Sequence, residues 1–167
     1  DFYDFVTVSD EEIGVVMGDV SGHGIDAAIV MGMAKKTINI FGRGQASAKE
    51  TLCKANDEMY ADLDDMTFVS VFYGILDKRT AVLRHVRAGH NPTFVVNAGR
   101  GTDVTELKPK GIVLGMQRDP VFSNFTEEMQ TQLQAGDVLF QYTDGLTEAK
   151  SKQGEEFGTE RLKGANG

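Results

Sequence analysis

A single cysteine, Cys53, stands among the 167 residues. That count excludes an intrachain disulfide framework and a cysteine-rich zinc site. Cys53 follows Leu52 inside an apolar pattern of helical spacing and reads as a small buried residue, not a reactive thiol. A reducing cytoplasm is the compartment that suits such a chain. No apolar run reaches the roughly 18 residues that a membrane helix needs. No charged-then-apolar leader opens the chain either, so no membrane partner is expected in this segment. Basic residues are in deficit, 17 against 25 acidic, for a net charge of −8. Binding to a phosphate backbone takes a basic face, and nucleic acid is therefore excluded as the expected partner. Internal repeats, low-complexity tracts and linkers are also absent, and proline occurs only 3 times. With 41% hydrophobic residues, disorder is excluded. The length fits one domain, residues 1–167, with a core large enough to need no staples.

What is present is an alternation of two periods. Residues 2–8 and 11–18 are apolar and β-branched around a turn at Ser9-Asp10-Glu11, which predicts two strands. After a glycine-rich break from Gly18 to Gly24, Ala27, Val30, Met31, Ala34, Ile38 and Phe41 recur at helical spacing. Gly42 and Gly44 stop that helix. Ser47 with Glu50 three residues on predicts a capping box. Leu52, Ala55, Met59 and Leu63 form the buried stripe of the helix that follows it. From Thr67 the period becomes two, and Thr67–Leu76 is apolar on both faces, as in a strand covered on both sides. Asp77-Lys78-Arg79-Thr80 turns it into a hairpin with 81–87. Further strands are predicted at 93–97, 102–107, 119–130 and 137–142, and a short helix near Phe157. Early helices and tightly connected strands predict an antiparallel α+β layered fold.

Three apolar strands run into short polar, glycine-rich breaks: Gly18-Asp19-Val20-Ser21-Gly22-His23-Gly24, Ala88-Gly89-His90-Asn91-Pro92 and Tyr142-Thr143-Asp144-Gly145. Loops at strand ends are where binding residues concentrate. Half-buried carboxylates are expensive unless a cation or a donor meets them. Asp19 and Asp144, with Asp1 or Asp4 beside them, would make an all-oxygen site suited to Mg²⁺ or Mn²⁺ and not to zinc; alternatively, Asp-Gly marks ordinary turns. The excess of carboxylate overall has the same two readings, cation ligands or a solubility surface. Ser21 lacks the Gly-x-Ser-x-Gly elbow of a nucleophile and is expected to shape a tight loop. His23, between glycines before a helix, either donates a proton to a leaving group or caps the helix. His90 is expected to be a structural hydrogen-bonder near the site, and His85 has no functional claim. The segment His23-Gly24-Ile25 lacks the lysine of a Walker loop, which rejects nucleotide binding of that style.

Taken together these segments resemble the PPM (PP2C-type) metal-dependent serine/threonine phosphatases, in the bacterial SpoIIE/RsbU branch. The matching stretches are DFYD at 1–4, GDVSGHG at 18–24, MTFVSVFYGILD at 66–77, AGHNP at 88–92, GIVLG at 111–115, YTDGLTEA at 142–149 and FG at 157–158. They come in the family's order and cover essentially the whole chain. The resemblance implies an α/β/β/α sandwich of two antiparallel sheets flanked by helices, with two metal ions, Mn²⁺ or Mg²⁺, at one end. It implies removal of phosphate from phosphoserine or phosphothreonine in a protein by water activated on the dinuclear site. By the family's habits the substrate would be a phosphorylated anti-sigma-factor antagonist in a stress or sporulation switch, with a sensor or receiver domain upstream. Carried over, Asp19 bridges both ions, the Val20 carbonyl holds one, Asp144 ligates the other, and Asp1 is the first acidic ligand with Asp4 as the fallback. His23 is the candidate proton donor to the leaving seryl oxygen.

The departures are at the ends. The family's closing Asp-Asp-x-Thr strand and its first strand are not in the sequence, so the domain reads as truncated at both ends. Asp64-Asp65-Met66-Thr67 imitates the closing motif in letters but precedes the central strand, and neither Asp64 nor Asp65 is assigned as a ligand. Val113 stands where proline is common in the family. The alternative expectation is a non-catalytic module that keeps the phosphatase shape to bind or regulate; a purely structural oligomerisation domain is a third.

Overall fold

The computed structural model describes residues 1–64, 66–97 and 104–164. Asp65 and the first two residues of the strand expected at 102–107 lie outside that set. The described chain forms two compact units, Asp1–His90 with Pro109–Leu133, and Asn91–Lys108 with Gln134–Gly167. Each unit carries one antiparallel sheet, as the α+β expectation requires.

The first unit opens with the hairpin β1 (Phe2–Thr7) and β2 (Glu12–Val20). Its turn is closed by the Val8 and Ser9 N–H groups, which both donate to the Glu12 carbonyl at 3.2 Å. Strand β2 runs two residues further than its apolar pattern suggests, because Asp19 and Val20 pair with Ser70 and Val69 of β3 (Val69–Asp77). Strands β4 (Val82–Ala88) and β7 (Glu128–Gln132) complete a sheet of order β1-β2-β3-β4-β7. The β3–β4 turn is the expected one. Asp77 Oδ1 accepts from the Arg79 and Thr80 N–H groups at 2.8 and 2.9 Å, and the Thr80 bond above all holds its carboxyl below the usual range.

Helices α1 (Ile25–Gly42) and α2 (Ala48–Tyr60) lie on one face of this sheet, α1 over β1 and β2, α2 over β3 and β4. Their apolar spacing is what buries them. Ala34, Ile38, Leu52, Ala55 and Met59 are almost wholly enclosed with Val6, Val16, Val71 and Ile75. Each large aliphatic among them contributes about 1.5–3 kcal/mol by leaving water. Leu63 packs against the same core from beyond the end of α2. Cys53 is half-buried there, and burial pushes its thiol up to about 11, as expected of an inert residue.

The capping box forms by half. Ser47 Oγ accepts from the Glu50 N–H at 3.1 Å, but the Ser47 N–H donates to Gln45 Oε1 at 3.2 Å and not to Glu50. The Glu128 carboxylate completes the cap by accepting from Ser47 Oγ and the Lys49 N–H at 2.9 and 2.8 Å. An acidic group suits this position, since the helix N-terminus carries partial positive charge. The central strand β3 buries Val69, Val71, Phe72, Tyr73, Gly74 and Ile75 in succession, so both of its faces are covered as predicted.

Residues 119–130 correct the sequence reading. They form a short helix, α3 (Val121–Phe125), before β7, not a single strand. Asp119 Oδ1 accepts from the Ser123 N–H at 3.0 Å, and the Arg118 carbonyl takes the Val121 and Phe122 N–H groups. That local satisfaction, with Phe122 fully buried, outweighs the apolar alternation.

The second unit holds β5 (Thr93–Asn97) between β6 (Val104–Leu107) and β8 (Asp137–Phe140). Its small core is Phe94, Tyr142 and Leu162, the two rings stacked at 5.8 Å. Two short helices follow, α4 (Asp144–Thr147) and α5 (Thr159–Gly164). The latter is the helix expected near Phe157; α4 falls in the break at Tyr142-Thr143-Asp144-Gly145, where no helix was expected.

Candidate metal centre

The β1–β2 register sets the geometry of the first unit's acidic site. Phe2 pairs with Gly18, so Asp1 falls opposite Asp19, and paired residues share a face. Their carboxylates come within 4.8 Å of each other, and the Asp1 amino group lies 3.3 Å from Asp19 Oδ1. Two like charges at that separation repel by about 1 kcal/mol in water and by more where solvent is partly excluded. A cation relieves that repulsion, and an all-oxygen donor set fits a hard divalent one.

Gly18 makes the approach possible. A Cβ there would sit 2.6 Å from the Phe2 ring and 2.9 Å from the Ser70 carbonyl oxygen. Asp4, the fallback ligand, goes elsewhere. Three residues from Asp1 on a strand of period two, it points to the opposite face, and its Oδ2 lies 3.8 Å from Lys35 Nζ on α1.

Beyond Val20 the chain turns at Ser21-Gly22-His23-Gly24. Gly22 and Gly24 take φ of 86° and 89°, the left-handed region that costs side-chain-bearing residues most. Ser21 shapes the loop, as its sequence context suggests. Its N–H donates to the Phe68 carbonyl and its Oγ accepts from the Phe68 N–H, both at 3.0 Å. A cleft of about 270 Å³ opens between this loop and the start of α1, lined by Asp1, Asp19, Val20, His23, Ala27 and Met31 among others. No side chain caps the N-terminus of α1, which leaves backbone N–H groups and the positive end of the helix at the cleft, an arrangement that favours an anion.

A second cleft of about 300 Å³ on the other side of the loop is lined by Ser21, His23, Asp26, Asp64 and Met66 among others. His23 is exposed and borders both clefts. Asp64 is spent on its own turn: the Thr67 hydroxyl and the Met66 N–H hold its carboxyl below the ordinary range.

His90 is buried and its Nδ1 lies 2.8 Å from Ser70 Oγ, the structural hydrogen bond expected of it. Sequence reasoning missed Ser70, which stands on β3 opposite Asp19. Its signal was a small hydroxyl side chain between Val69 and Val71 in a largely apolar strand, where a buried polar group needs a partner. Asp144, in the second unit, is the first residue of α4 and is exposed.

A family model described as Stage II sporulation protein E (SpoIIE) matches residues 9–166. Protein IcfG of Synechocystis sp. is 30% identical over 190 aligned residues, which take in 97% of this chain and 29% of that protein. The phosphoserine phosphatase RsbU of Bacillus subtilis is 29% identical over 154 residues, 92% of this chain and 44% of that protein. The chain therefore spans less than half the length of either relative. Among solved structures, the SiaA-PP2C domain of Pseudomonas aeruginosa superposes with a TM-score of 0.80 at 22% identity, covering 98% of this chain and 63% of that one. The fold is thus that of PP2C phosphatase domains.

Proposed function

The chain belongs to the SpoIIE family, and on that premise we propose that it carries the catalytic part of a metal-dependent protein phosphatase acting on phosphoserine or phosphothreonine. The observation that carries the reading is the Asp1–Asp19 carboxylate pair, within 4.8 Å, at a cleft that also receives the uncapped N-terminus of α1. Among the described residues of the first unit, this is where a hard cation and a phosphate dianion could both be met by complementary groups.

In this proposal Asp1, Asp19 and the Val20 carbonyl hold Mn²⁺ or Mg²⁺, and Asp144, by the family resemblance, is the ligand of the second ion. When bound, such ions supply Lewis-acid stabilisation of phosphoryl oxygens and make water acidic enough to attack near neutral pH. The protein's own part is orientation and charge. Asp19 is fixed by its strand pairing with Ser70, and the α1 N–H groups draw the phosphate. His23, exposed at the rim, supplies a proton to the seryl or threonyl oxygen as the P–O bond breaks, which leaves a neutral alcohol and inorganic phosphate. The proposed substrate is a phosphorylated anti-sigma-factor antagonist.

The test is calorimetric titration of the chain with Mn²⁺, alongside hydrolysis of a phosphoserine peptide with and without the ion. Metal-dependent turnover is expected. Asp19→Ala should lower it by at least about 100-fold, the order reached when one charge-stabilising group leaves a preorganised site. Turnover that survives Asp19→Ala would refute the ligand assignment. Metal binding without turnover would favour the non-catalytic binding module instead.

A further inference from the structure

The AGHNP segment is not used by the mechanism above, yet the fold invests heavily in placing it. Gly89 takes a φ of 71°, and a Cβ there would lie 2.3 Å from Val113 Cγ1, so no side chain fits. Gly89 bridges to Val71 of β3. The Arg87 guanidinium donates to the His90 carbonyl at 2.8 Å and to the Pro109 carbonyl at 3.1 Å. The result is an imidazole only 3% exposed, with Nδ1 at 2.8 Å from Ser70 Oγ. An aliphatic side chain would fill this space without the desolvation cost that a buried ring nitrogen carries. What an aliphatic residue could not do is fix the Ser70 hydroxyl, and Ser70 is the direct cross-strand partner of Asp19.

We infer that His90 and Ser70 form a positioning pair for Asp19. With the proton on Nδ1, His90 donates to Ser70 Oγ, which turns the serine hydroxyl hydrogen away from the ring and toward the face that carries the Asp19 carboxylate. Ser70 and Asp19 are linked by strand register, which sets cross-strand Cβ atoms about 4.5–5.5 Å apart. The Asp19 carboxylate now meets the Asp1 amino group, and a bond from the hydroxyl would turn it toward the cleft. Outer partners of this kind orient metal-ligating carboxylates, and losing one typically costs about 10–100-fold in metal affinity or activity. The pair touches neither substrate nor ion and acts through Asp19. This inference rests on the metal-site reading of the preceding subsection.

The experiment is Mn²⁺ titration by calorimetry of the 167-residue chain and of Ser70→Ala, His90→Ala, His90→Asn and the Ser70→Ala/His90→Ala double variant, with thermal midpoints recorded for each. Ser70→Ala and His90→Ala should each weaken Mn²⁺ binding by about 10-fold or more. The double variant should be no weaker than the worse single one, because both break the same linkage. His90→Asn should recover affinity to within about threefold of the unaltered chain, since its amide N–H can reach the place of Nδ1–H. Wild-type affinity in Ser70→Ala would overturn the inference. So would losses that multiply in the double variant, or a His90→Asn variant as weak as His90→Ala. If His90→Ala does not fold, Ser70→Ala and His90→Asn decide. No Mn²⁺ binding by the unaltered chain would refute the metal reading and this inference with it. Binding that Asp19→Ala abolishes and Ser70→Ala leaves intact would refute the inference alone.

Discussion

Acid should destabilise this domain through His85. The ring is fully buried on β4, with Nε2 at 3.0 Å from Thr131 Oγ1 and its plane tilted against Phe72 at 6.2 Å. Burial pushes its imidazole down from 6.5 to about 4, with the Glu128 carboxylate pulling the other way. The folded value lies below the unfolded one, so between the two the unfolded chain binds the extra proton. Stability is complete above the unfolded value and is lost as pH falls toward the folded one. Integrating that linkage from about pH 7.5 to about pH 5 gives a loss of about 2 kcal/mol. The assay is urea unfolding at both pH values for the unaltered chain and for His85→Gln, whose amide can still bond Thr131 but does not titrate. The other titrating groups are common to both proteins, so their contributions cancel in the difference. With a urea slope of about 2 kcal/mol per molar, the unaltered chain's midpoint should fall by about 1 M more than the variant's. An equal pH dependence in the two proteins would refute the claim that His85 is buried neutral at a cost.

Two further outcomes follow from packing and burial. Gly18→Ala drives a methyl group into the Phe2 ring and the Ser70 carbonyl; overpacking of this kind costs about 1–3 kcal/mol, and denaturant unfolding will show it, while an unchanged midpoint would mean that β1 yields freely. Cys53, its thiol held near about 11 by burial, should label with a thiol-directed disulfide reagent far more slowly at neutral pH than the same residue in urea. Labelling at the unfolded rate would show that α2 opens readily around Cys53.

Strands β1 to β4 and helices α1 and α2 were legible because their apolar residues repeat at 2 and 3.6. Leu52, Ala55 and Met59 lie where the stripe put them, and the run from Val69 to Ile75 is buried on both faces as its composition demands. The segment 119–130 was not legible. The Asp119 carboxylate and the Arg118 carbonyl of a local turn outcompeted alternation there, and such bonds leave no periodic trace. The capping box shows the same limit at smaller scale. Ser47 and Glu50 were readable as a cap, but Glu128, 81 residues from Ser47, completes it.

The site divides along the same line. Sequence alone singled out the candidates: Asp19 after Gly18, His23 between glycines, and His90 of AGHNP as a structural hydrogen-bonder near them. These choices are local, since a glycine's freedom and a carboxylate's charge belong to the residue itself. Only the tertiary structure placed Asp1, and not Asp4, opposite Asp19, because that depends on a register in which Phe2 meets Gly18 and Asp4 turns to the helix side. It alone brought Ser70 beside Asp19 and His90 beside Ser70. Those neighbours lie 20 to 51 positions apart, and strand pairing, which acts through space, carries no mark in the letters of either strand.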